Sequence, residues 1–93
     1  MMDKIYLNQL KWACRRGMLE LDLLLTPFLE QHFYTLSNAQ KKDFEYLLTQ
    51  DDTDLYAWFM GHEKSNEPRI EKTIALIHHA LSSHDKENSI LTK

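Results

Sequence analysis

The sequence predicts an all-α protein, a compact five-helix bundle whose fourth helix is short. Three observations carry this. Only two glycines and two prolines occur in 93 residues, whereas a β architecture needs turn residues about every eight to twelve positions. Apolar residues recur at i, i+3, i+4 and i+7 along most of the chain. Helix-end signals separate these stripes. A chain of this length supports one core, so residues 1–84 are expected to form a single domain, with a polar, flexible tail over 85–93.

The first helix is expected from Asp3, as cap, to about Arg16. Tyr6, Leu10, Ala13 and Cys14 lie on one face, and Lys11, Arg15 and Arg16 suit the negative end of the helix dipole. Gly17 supplies a left-handed stop. A second helix follows from Met18 to about Tyr34, with Glu20 and Asp22 in its first turns and Met18, Leu21, Leu24, Leu25 and Phe28 inward. Pro27 lacks an amide hydrogen and crowds the carbonyl of Leu23, which predicts a kink or a restart capped by Thr26. Ser37 and Gln40 form a capping box for a third helix reaching about Gln50, with Phe44, Leu47 and Leu48 inward.

The acidic run Asp51-Asp52-Thr53-Asp54 then feeds a two-turn helix from Leu55 to Met60, stopped by Gly61. Leu55, Trp58 and Phe59 are its inward candidates. After a polar loop over His62 to Glu67, Pro68 opens the last helix, on which Ile70, Ile74, Ile77 and Leu81 make one stripe.

Composition excludes several functions. The net charge is −3 and the basic residues are scattered, which disfavours a nucleic-acid partner. The longest apolar run, Leu23-Leu24-Leu25, is far below the roughly 20 residues of a membrane span. Met1-Met2-Asp3-Lys4 has the character of neither a signal nor a transit peptide, so a bacterial cytoplasmic location is expected. Cys14 is the only cysteine; on the apolar face of the first helix it reads as a buried structural thiol. His78 and His79 are adjacent, His84 is off their face and His62 lies in a loop. No metal site is expected, because none of these forms the i, i+4 pair of a helical zinc site. The Asp51 segment lacks the glycine and glutamate of a calcium loop. With Gly17 and Gly61 far apart there is no dinucleotide cradle, and no catalytic triad can be proposed from spacing.

One constellation stands out: Trp12-Ala13-Cys14-Arg15-Arg16-Gly17-Met18-Leu19-Glu20-Leu21-Asp22. Local rules explain it as a basic helix end, a stop and an acidic helix start. It also reads as a docking corner, where Gly17 permits close approach of another backbone and Arg16 can fork two hydrogen bonds to a partner. Taken from the residues alone, both readings stay open, and so does a helical interaction or regulatory module with an unrelated client.

The string resembles the signature of the succinate dehydrogenase FAD assembly factors, or flavinators, whose Arg-Gly-x-x-Glu motif is matched by Arg16, Gly17 and Glu20. The similarity continues through Pro27-Phe28, Leu36-Ser37, and Asp51 to Leu55 with Trp58. The resemblance implies a five-helix fold. It implies an assembly factor, not an enzyme, that binds the flavoprotein subunit of succinate dehydrogenase, with fumarate reductase as a related client. In that chemistry a histidine of the partner attacks the 8α-methyl carbon of FAD held by the partner, and the factor contributes positioning. FAD is not expected to bind stably to this chain, and a monomer is expected. The implied partner-binding residues are Arg16, Gly17 and Glu20, flanked by Arg15 and Asp22, with Trp12 and Asp52 at the edge.

Overall fold

The apolar stripes assemble around α2, which packs against α1, α4 and α5 while α3 packs on α5. In order, the elements are α1 (Lys4–Cys14), α2 (Leu19–His32), a single 3-10 turn (Phe33–Thr35), α3 (Asn38–Leu47), α4 (Asp52–Phe59) and α5 (Pro68–Thr92). The computed structural model describes the backbone of residues 4–92 and side chains through Ser82. The expected cap Asp3, and the side chains of His84 and of the expected tail over 85–93, lie outside the described residues.

The centre is aromatic. Phe28 of α2, Phe33 of the 3-10 turn and Phe44 of α3 are fully buried. Phe44 stands 5.4 Å from Phe28 and 5.8 Å from Phe33, centroid to centroid, in tilted pairs of the kind ring quadrupoles favour. Leu21, Leu25, Leu47, Leu55, Ile70 and Ile77 close around them. Burying each such side chain stabilises the fold by about 1.5–3 kcal/mol. The buried hydroxyl of Thr73 donates to the Arg69 carbonyl at 2.8 Å, so the core leaves that polar group satisfied.

Helix ends follow the local chemistry with some displacement. The Ser37–Gln40 capping box forms in both directions, at 2.9 and 3.1 Å. Pro27 sits inside α2 without a restart at Thr26. Leu23, whose carbonyl loses its intrahelical donor to the proline, is an exposed residue. α1 ends at Cys14, two residues earlier than expected, because the Arg16 amide is drawn to Asp22 instead of continuing the helix. α4 begins at Asp52, not Leu55: Asp52 and Asp54 occupy its first turn, where carboxylates favour the dipole.

α4 closes on Gly61 at φ 77°. His62 N–H donates to Ala57 at 2.8 Å and Gly61 N–H to Trp58 at 3.3 Å, the paired bonds of a Schellman end. At the start of α5 the Glu67 carbonyl receives the amides of Ile70 and Glu71, both at 3.1 Å.

Candidate functional site

The α1–α2 corner is built around the Arg16 side chain. Its Nε donates to Asp52 Oδ1 at 2.6 Å. Nη1 donates to the carbonyls of Ala13 and Leu48, each at 2.9 Å, and Nη2 to that of Gln50 at 2.6 Å. Ala13 and Leu48 lie at the C-terminal ends of α1 and α3, where carbonyls lack intrahelical donors and a cation meets the negative dipole ends. Asp52 lies in the first turn of α4. One guanidinium therefore ties three helix ends together. Only a planar group with five N–H donors can address three carbonyls and a carboxylate at once.

This corrects one expectation. The sequence reading sends Arg16 outward as a fork for a partner. The structure turns it inward, with 15% of its side chain exposed. The physical reason is the cluster of orphan carbonyls at two helix ends, which sequence spacing does not reveal. Asp22 also serves the corner from within, its Oδ1 accepting the Arg16 backbone amide at 2.8 Å. Asp52 is only partly shielded, at 38%, so water weakens its share of the ion pair.

The remaining candidates face solvent. Gly17 takes φ 79°, and a Cβ added there would meet nothing within 4 Å. The glycine is thus required within the chain for its left-handed backbone, not for space. Glu20, in the first turn of α2, is exposed, as is Arg15. Trp12 is 70% exposed, with the Arg15 guanidinium carbon 5.4 Å from its ring centroid. Leu19 and Leu23, at 68% and 62% exposure, flank Glu20 on one side of α2. Sequence reasoning passed over them, although both fall off the inward stripe of Leu21, Leu25 and Phe28.

Cys14 lies directly beneath this corner, fully buried as expected. Burial pushes its thiol up to about 12, against the lowering influence of the Arg16 charge. It is a packing group and not a nucleophile. Among the described residues no group of three His, Cys, Asp or Glu side chains is placed to hold a metal, and no helix is long and apolar enough to cross a membrane.

A model of the family described as "flavinator of succinate dehydrogenase" matches residues 8–81, a span that includes the whole of the corner. The chain belongs to this flavinator family. Similar proteins include FAD assembly factor SdhE of Idiomarina loihiensis, 53% identical over 67 residues that cover 72% of this chain and 74% of the relative. The SdhE of Colwellia psychrerythraea is 47% identical over 74 residues, covering 80% and 81%. That of Shewanella oneidensis is 41% identical over 76 residues, covering 82% and 93%. In this flavinator the Arg-Gly-x-x-Glu motif thus divides by geometry. Its arginine builds the corner, and its glycine and glutamate are displayed on it.

Proposed function

We propose that this chain is an assembly factor that docks on the flavoprotein subunit of succinate dehydrogenase and promotes covalent attachment of FAD to a histidine of that subunit. It is not a metabolic enzyme. The observation that carries the reading is the exposure of Gly17 and Glu20 on one corner fixed from below by Arg16, within the residues matched by the family model. Glu20 offers a charged acceptor to partner N–H groups. Gly17 lets the partner backbone approach, and Arg15 and Trp12 form the edge of the contact. Asp22 holds the turn from inside.

The factor's own residues bind and orient. By holding the flavoprotein in the conformation in which its histidine and flavin are aligned, they convert binding energy into positioning. FAD stays with the partner, since this chain's two glycines are far apart and supply no phosphate cradle. Adding FAD to the purified chain is expected to leave the flavin spectrum unchanged. The proposal extends to the flavoprotein of fumarate reductase as a second client, to action as a monomer, and to a cytoplasmic setting like that in which a soluble flavoprotein subunit is made.

The test is the covalent flavin content of the succinate dehydrogenase flavoprotein in cells with this gene present and deleted. Denatured flavoprotein keeps its fluorescence when the factor is present and loses most of it on deletion. Equal fluorescence in both strains would refute the assignment.

A further inference from the structure

We propose that Asp52 is a positioning residue for docking: acting through Arg16, it holds the Gly17–Glu20 turn in the geometry that the flavoprotein meets. This rests on the docking role proposed above.

Few backbone–backbone bonds hold the turn. Backbone–backbone bonds at its two ends run from Arg15 N–H to the Trp12 carbonyl and from the Leu21 and Asp22 amides to the Met18 carbonyl. Between them, Arg16 is fixed by its amide bond to Asp22 and by its side chain on Asp52 and the Ala13, Leu48 and Gln50 carbonyls. Gly17 follows immediately, and glycine ranges widely over φ and ψ when unrestrained. The Asp52 bond closes the restraint. It is the only carboxylate among these side-chain partners of Arg16, and it sits on a different helix, so it fixes the guanidinium plane relative to α4.

Without the Asp52 carboxylate, the Arg16 charge keeps its three carbonyls but loses the anchor at Nε. The turn then samples more conformations, and the partner must select the competent one. Apparent affinity falls by the competent fraction, while the bound complex is unchanged. A positioning role therefore predicts a split. Asp52→Ala raises the factor concentration that gives half-maximal flavinylation by about two- to fivefold, the equivalent of one partly solvent-screened ion pair. The rate at saturating factor stays at the wild-type level. Asp52→Asn retains an Oδ1 acceptor for Nε and recovers most of the loss.

A direct contact between Asp52 and the partner would also weaken docking, so the test is a double-mutant cycle on purified full-length chain and apo-flavoprotein with FAD. If Asp52 acts through Arg16, Asp52→Ala adds nothing once Arg16→Gln is present. Multiplying penalties would mean that Asp52 touches the partner itself and would overturn the proposal. So would an Asp52→Ala variant with wild-type half-saturation. A second readout needs no partner: exchange of the Arg16 amide, bonded to Asp22 Oδ1 in the free chain, speeds up in Asp52→Ala and stays near the wild-type rate in Asp52→Asn, with the α5 amides unchanged. Wild-type exchange of that amide in Asp52→Ala contradicts the proposal. If the wild-type chain fails to stimulate flavinylation at all, the docking function falls instead, a result the exchange experiment keeps separate.

Discussion

The Tyr46 hydroxyl donates to Glu67 Oε1 at 2.6 Å, joining the last turns of α3 to the start of α5. Arg69 lies over the same ring, its guanidinium carbon 4.0 Å from the centroid, and its Nε reaches Asp43 Oδ1 at 3.0 Å. Packing thus sets which helices meet, and this polar cluster ties α3 to the start of α5.

Tyr46 gives this cluster a pH signature. The hydrogen bond to Glu67 raises its phenol above the ordinary 10.0, with burial and the Glu67 charge adding to the shift and Arg69 and Gln50 opposing it. A folded pKa above the unfolded one means that the stabilisation is complete below about pH 10 and is lost as pH climbs through the folded value. Tyr46→Phe should lower the thermal midpoint by a few degrees at most at pH 8. The gap to wild type should narrow above pH 10. A gap that stays constant to high pH would show that the hydroxyl bond contributes nothing.

Cys14 should behave as an inert thiol. Its pKa is raised from 9.0 to about 12, chiefly by burial, so folding stability that depends on it is full below pH 9 and declines between pH 9 and about 12. Iodoacetamide at pH 8 is expected to leave the native chain unlabelled and to label it fully in denaturant, detected by mass. Rapid native labelling would mean that the corner opens readily.

Gly17 separates backbone demand from docking. Gly17→Asn keeps access to the left-handed region at a cost of about 1 kcal/mol or less, since its Cβ enters open space. Gly17→Arg adds left-handed strain of about 1–2 kcal/mol and places a long cation on the surface. Both should keep the helical circular dichroism of wild type, and both should lose flavoprotein binding, the arginine variant completely. Tight binding by either variant would place the partner's contact elsewhere.

The helices were legible because their signals are local. Ser37 and Gln40 meet across one turn, Gly61 ends α4, and Ile70, Ile74 and Ile77 repeat at helical spacing. The interior role of Arg16 was not legible. Its partners Leu48, Gln50 and Asp52 lie more than thirty positions away, and a basic residue before a glycine reads equally as a helix end or a display. Pro27 shows the converse. A strong local signal for interruption yields where the buried stripe of Leu21, Leu25, Phe28 and Leu29 continues on both sides of the proline. Leu19 and Leu23 were visible as residues off the stripe, yet off-stripe leucines carry no signal of their own until the neighbouring Glu20 is placed on the surface.

The most direct measurement is the covalent flavin in the succinate dehydrogenase flavoprotein from cells whose sole copy of this chain carries Glu20→Ala. Glu20 is exposed, so the substitution should change stability by no more than about 0.5 kcal/mol. Removing its charge-assisted bonds to the partner should weaken docking about tenfold or more. The account predicts a normal thermal midpoint for the variant and covalent flavin near the level of the gene deletion. Wild-type flavin content from a folded Glu20→Ala chain would contradict it.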